Sequence, residues 1–147
     1  MRSRLELRID APLERIYSLA SDVERWPERL PHYRYVRRLP SSNGERRFAM
    51  GARRGWIPVR WETSQRLLPE ERRIEFTHTG GVTRGMQVAW RFEPSGNGWA
   101  VSIEHRLELG WPLFGAFAAE RLVGPQFIEA IARRTLRRVK ALAESGS

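Results

Sequence analysis

Residues 21–36 read SDVERWPERLPHYRYV and set a capping signal, a Trp-Pro pair, a second proline and two tyrosines between a helix and a strand. Ser21 and Glu24 have the S-x-x-E spacing of a capping box, which predicts a second short helix directly after the first. Pro27 is expected to limit that helix and Pro31 to exclude its continuation, since proline lacks the N–H that another turn needs. So rigid and aromatic a corner predicts that Trp26 plugs one end of a core. It leaves Tyr33, on the strand that follows, as the corner's candidate for function.

Working outward, residues 4–10 (RLELRID) alternate polar and apolar, so Leu5, Leu7 and Ile9 share one face of a half-buried strand. Asp10 is a candidate N-cap with Pro12 in the first turn, and Leu13, Ile16, Tyr17 and Ala20 fall on one helical face. On the other side of the corner, residues 32–109 follow a period of two. Strands are predicted near 33–39, 46–52, 56–67, 71–79, 84–93 and 99–109, separated by SSNG, LPEE, GG and PSGNG. Connections this short favour an antiparallel meander. Ile74 and Phe76, then Met86, Val88, Trp90 and Phe92, then Val101, Ile103, Leu107 and Leu109 form the apolar sets. Arg73, Glu75, Arg91, Glu93, Glu104, Arg106 and Glu108 take the opposite, wet face.

The chain closes on an amphipathic helix with Phe127, Ile128, Ile131, Thr135, Val139 and Leu142 on its apolar stripe. Gly124-Pro125 predicts a kink or break where this helical region begins. The order is one strand, two small helices, six strands and a long helix. It predicts an α+β fold in which a seven-stranded, curved antiparallel sheet wraps its dry face around the C-terminal helix. Such a grip leaves a cavity between helix and sheet, the usual place for a ligand.

At 147 residues the chain is expected to form one domain over 1–147. It has no cysteine, no signal-peptide layout at its start and no apolar run of bilayer-spanning length, so a cytoplasmic protein is the expectation. The formal charge of +9 invites a polyanion partner, but the basic residues are almost all arginines scattered along the chain instead of gathered in a block. That spread argues against nucleic acid as the main partner. Peripheral membrane contact stays open.

No cysteine, G-x-S-x-G or serine elbow offers a nucleophile, and no P-loop or dinucleotide fingerprint is present. His32, His78 and His105 lack partners at metal-ligand spacing, so neither metal nor cofactor is expected. What remains is a pocket. By strand parity His78 follows Ile74 and Phe76 inward, and His105 follows Val101 and Ile103, as hydrogen-bonded wall residues or as acid-base groups. Tyr33, Trp61 and Trp90 serve there as core fillers or as ligand-stacking surfaces. With Phe76, Met86, Phe114 and Phe127 they complete the candidate ligand pocket.

The run APLERIYSLASDVERWPERLPHY, then GMQVAWRFEPSGNGWAVSIEH, then LGWPLFGAF and the closing RRVKALAE resembles the START-like, Bet v 1-like superfamily, within it the polyketide cyclase and coenzyme Q-binding branch. The resemblance covers essentially the whole chain. It implies a helix-grip fold whose cavity binds a hydrophobic or aromatic small molecule such as a lipid, quinone or polyketide, without chemistry of its own in most members. It also implies two alternatives, a polyketide cyclase or dehydratase and a ribosome- or membrane-associated interaction protein using the basic face of the last helix. The aromatase-cyclases that the chain resembles place a tyrosine after the Trp-Pro corner, matched by Tyr33, and an inward arginine four residues after a tryptophan. Here the fourth residue after Trp61 is Gln65, and Arg66, one position on, is expected to face solvent unless a bulge restores the phase. The charge-free LGWPLFGAFAA (109–119), with Trp111, Phe114 and Phe117 beside Gly110 and Gly115, reads as a loop packed over the core or as a mobile lid.

Overall fold

Alternation at every second residue produces the strands in their expected places. The computed structural model describes residues 2–41, 44–81, 83–107 and 125–145, the last segment with its side chains from residue 128 onward. In chain order these form β1 (Arg2–Ile9), α1 (Leu13–Ser21), one 3-10 turn (Val23–Arg25), α2 (Trp26–Arg29) and β2 (Tyr33–Leu39). There follow β3 (Arg46–Arg54), β4 (Ile57–Leu68), a second 3-10 turn (Pro69–Glu71), β5 (Arg73–Gly81), β6 (Gln87–Ser95), β7 (Gly98–Arg106) and α3 (Pro125–Glu144). The strands make one antiparallel sheet in the order β1-β7-β6-β5-β4-β3-β2, a meander closed by the return of β7 to β1.

Cross-strand register sorts the inner face into rows. Ser3, His105, Val88, Phe76 and Gln65 make one, and Leu5, Ile103, Trp90, Ile74 and Leu67 the next. Opposite parity leaves Arg73, Glu75, Arg91 and Glu104 outside, where they pair; Glu104 sits 3.3 Å from Arg91 and 3.7 Å from Arg4. Surface pairs of this kind contribute well under about 1 kcal/mol each. The dry face receives α3 through Ile128, Ala132, Thr135, Leu136, Val139 and Ala143, all buried. Arg15 donates from Nη1 to the carbonyl of Ala143 at 3.1 Å and so supplies a last-turn acceptor with the donor that the helix end lacks.

Two irregularities bend the sheet. Tyr33 pairs with Ala52 but Tyr35 with Gly51, so Arg34 is an extra residue and the parity of β2 flips after it. Tyr33 therefore faces inward while Tyr35 lies outside, flat against Gly51, where any Cβ would collide with its ring. The second bulge is in β5, where Thr63 pairs with His78 but Glu62 with Gly80, leaving Thr79 unpaired. Because the extra residue is in β5 and not in β4, Arg66 keeps its outward phase and is exposed.

The local signals at the corner are corrected by the structure. Ser21 is the last residue of α1, its Oγ bonds back to the Ser18 carbonyl, and Glu24 pairs with Arg38 at 2.6 Å, so there is no capping box. Asp10 does not cap α1 either. Extended backbone at Pro12 delays the helix to Leu13, out of its reach, and Asp10 pairs instead with Arg8 at 2.9 Å. Pro27 sits in the first turn of α2, which it helps to start and does not limit, since that position needs no N–H. Met86 lies just before β6 and not within it, yet is buried.

Candidate functional site

Between the inner face and α3 lies a cavity of about 80 Å³. Trp26, Tyr33, Trp61, Phe76 and Trp90 give it an aromatic wall, Met50, Val59, Met86, Val88 and Ile103 an aliphatic one, and Ile128, Ile131, Ala132 and Thr135 close it from α3. Its polar lining is His78, His105, Thr83, Thr135 and the Tyr33 hydroxyl, and no described lining residue carries a full charge at neutral pH. Rings meet edge on or tilted: Trp26 and Tyr33 have centroids 4.8 Å apart, Tyr33 and Trp61 6.1 Å, Trp26 and Trp90 6.3 Å. Trp61 and His78 stack at 5.6 Å with planes 9° apart.

The two inward histidines differ. His78 exchanges a hydrogen bond between Nδ1 and Thr83 Oγ1 at 2.6 Å, which fixes its ring against the β5–β6 connection. Nδ1 of His105 is buried without a partner among the described residues. Burial pushes both imidazoles down, His78 to about 3 with His105 adding to the effect, and His105 to about 4. Both are neutral at pH 7. Burial likewise pushes the Tyr33 phenol up to about 12, so it stays protonated and available as a donor, and a hydrogen bond with Thr135 acts in the opposite direction.

Of the residues predicted from sequence, Tyr33, Trp61, Phe76, His78, Met86, Trp90 and His105 come together on this one wall. Phe114, with the rest of the 109–119 stretch, and the side chain of Phe127 lie outside the described residues. Gln65 does point inward, as the parity of β4 requires, but it does not reach the cavity. Its Nε2 donates to the Ser21 carbonyl at 2.8 Å and pins the end of α1 to the sheet. Sequence reasoning missed Trp26 as a wall residue and the buried polar pair His32 and Thr135, whose Nε2 and Oγ1 are 2.8 Å apart. A polar residue inside the apolar stripe of the last helix was the signal for that pair, since a buried hydroxyl needs a partner.

A curved antiparallel sheet closed over one long helix, with a mostly apolar cavity between them, defines the helix-grip fold shared by START-like and Bet v 1-like proteins. The chain belongs to the family described as polyketide cyclase / dehydrase and lipid transport, whose model matches residues 9–134. It is 32% identical over 101 residues to the actinorhodin polyketide synthase bifunctional cyclase/dehydratase of Streptomyces coelicolor, covering 67% of this chain and 32% of that protein. Identity to the granaticin polyketide synthase bifunctional cyclase/dehydratase of Streptomyces violaceoruber is 28% over 145 residues, 97% of this chain and 43% of that one. The chain thus spans less than half the length of these curated relatives. Among solved structures, the fold matches the Zhui aromatase/cyclase from Streptomyces sp. R1128 with a TM-score of 0.83 at 15% identity, covering 98% of this chain and 93% of that one. A START superfamily protein from Mycobacterium smegmatis matches with a TM-score of 0.75 at 15% identity over 99% of both chains.

Proposed function

We propose that the protein binds an aromatic, polyketide-type small molecule in the cavity between sheet and α3. The observation that carries this reading is the cavity wall itself: aromatic rings on several sides, a few neutral polar groups and no described charge. Such a lining stacks planar rings and meets a phenol or ketone oxygen with Tyr33 or a histidine, while excluding a charged ligand by desolvation. A cavity of about 80 Å³ has room for about six water-sized groups, the size of one ring. A ligand of several rings enters by displacing side chains, and Met50 and Met86 are the adaptable parts of the wall. The similarity to bifunctional cyclase/dehydratases of Streptomyces polyketide synthases supports the ligand class.

The experiment is organic extraction and native mass spectrometry of the purified protein. A co-purifying aromatic compound, lost on denaturation, is expected; a protein that is ligand-free and binds neither phenol, 2-naphthol nor a dihydroxyanthraquinone would refute the reading.

A second reading, cyclisation or dehydration of the bound compound, is favoured by one observation, the unpartnered Nδ1 of His105 on the cavity wall. A neutral imidazole is the form that can accept a proton from carbon beside a ketone, and Tyr33 is a protonated donor for the developing enolate oxygen. Arg66 contributes nothing to this, being outside the sheet. If the reading holds, His105→Gln lowers the rate of cyclisation of a linear polyketide mimic by at least about 100-fold with binding little changed. Equal rates in both proteins would remove catalysis by His105.

A further inference from the structure

Outside the cavity, on the far side of Thr135, a groove of about 360 Å³ runs between the Pro31–His32 corner and α3 and is lined by Arg134, Arg137, Arg138 and Ala141. Two features mark it. First, it gathers three arginines of one helix, and among the described residues no carboxylate pairs with Arg134, Arg137 or Arg138, in contrast with Arg4, Arg8, Arg25, Arg38, Arg47, Arg73 and Arg91. Placed three and four residues apart on one helix, these three repel one another. Arg138 is held in place by donating from Nε to the Arg29 carbonyl at 2.8 Å.

Second, His32 in the groove wall is only 1% exposed and half satisfied. Thr135 Oγ1 donates its proton to the Ile131 carbonyl at 2.8 Å, so the 2.8 Å contact with His32 requires Nε2 to carry the hydrogen. Nδ1 is then a bare lone pair, and it is buried with no partner among the described residues. Three guanidinium groups without described carboxylate partners, beside a neutral buried ring, are suited to a ligand that brings several negative oxygens.

We infer that this groove binds a phosphate group carried by a small molecule, with the α3 arginines holding its terminal oxygens beside the buried His32 ring. Guanidinium forks match phosphate oxygens in pairs, and three forks exceed what the two oxygens of one carboxylate accept. The inference is independent of what fills the cavity, although the two places are joined through one helical turn: Thr135 lines the cavity and bonds His32, while Arg134, its neighbour in sequence, lines the groove.

The test titrates the full chain, in chloride buffer at pH 7, with inorganic phosphate and with phenyl phosphate. Binding is followed by calorimetry and by the nitrogen-15 shifts of the histidine rings. Saturable binding is expected, with the Nδ1 signal of His32 moving and those of His78 and His105 staying in place. Arg134→Gln with Arg137→Gln, both at exposed positions, is expected to weaken phosphate binding by at least about tenfold, and the double lysine variant by less, because it keeps the charge and loses the forks. Absence of saturation up to about 50 mM phosphate, undiminished affinity in the double glutamine variant, or an unmoved His32 signal would each overturn the inference. So would arginine-dependent binding confined to phosphatidylglycerol vesicles or to a short RNA duplex, which would assign the groove to a polyanionic surface.

Discussion

Unfolding free energy is expected to hold level above pH 7 and to fall steeply below pH 6.5, by about 4 kcal/mol at pH 5.5. His32, His78 and His105 cause it. Burial is the first cause in all three, with the Arg134 charge added at His32, and it brings them to about 4, 3 and 4 from an ordinary value of 6.5. The folded protein therefore stays unprotonated at these sites while the unfolded chain takes up protons as the pH drops through 6.5. The unfolded state binds more protons in that window, so stability rises with pH there. The stabilisation is complete above the unfolded value and is lost progressively on the way down to the folded values. At pH 5.5 each histidine accounts for about 1.4 kcal/mol. Urea denaturation at pH 7.5, 6.5 and 5.5 measures the effect, and His78→Gln should remove about a third of the slope. A flat profile would mean that the imidazoles reach water or a buried anion in the folded state.

Trp26→Ala is expected to destabilise the protein by about 3–5 kcal/mol, the range for deleting a large buried ring whose site cannot collapse. The side chain is 3% exposed, donates from Nε1 to the Leu19 carbonyl at 2.9 Å, and touches Tyr33, Trp90 and Phe76. Its loss removes packing from the cavity wall and leaves the Leu19 acceptor without that donor. Trp26→Phe restores most of the ring contact and should cost about 1–2 kcal/mol, mainly the hydrogen bond. The readout is the urea midpoint with an unchanged slope. A loss below about 1 kcal/mol for the alanine variant would show that the corner is not part of the core.

The strand order, the inward parity of β5 to β7 and the apolar stripe of α3 were legible because each rests on a period repeated over many residues. The histidines were assigned to the inner face for the same reason, and Tyr33, Trp61, Phe76, His78, Met86, Trp90 and His105 line one cavity. Single-residue events were not legible. The bulge at Arg34 sends Tyr33 and Tyr35 to opposite faces, and nothing in RYV distinguishes it from regular strand. The capping box at Ser21 failed because α1 runs one residue further than the local signal implied, so the same serine became a helix end instead of a helix start. His32 was invisible to parity because it precedes β2, and only the fold brings it to Thr135, 103 residues away. Trp26 was rightly placed in the core, yet the core here includes the wall of a cavity, so packing and a ligand-facing position are the same property.

Whether this cavity is a binding site is decided by a calorimetric titration of 2-naphthol into the wild-type protein and into Ala132→Leu. Ala132 is 6% exposed and faces the cavity from α3, so leucine there fills most of the space without disturbing the sheet. Saturable binding by the wild type, at least about tenfold weaker binding by the variant, and an unfolding midpoint that is unchanged or raised are predicted. Equal affinity in the two proteins, or no saturable binding in the wild type, would contradict the account.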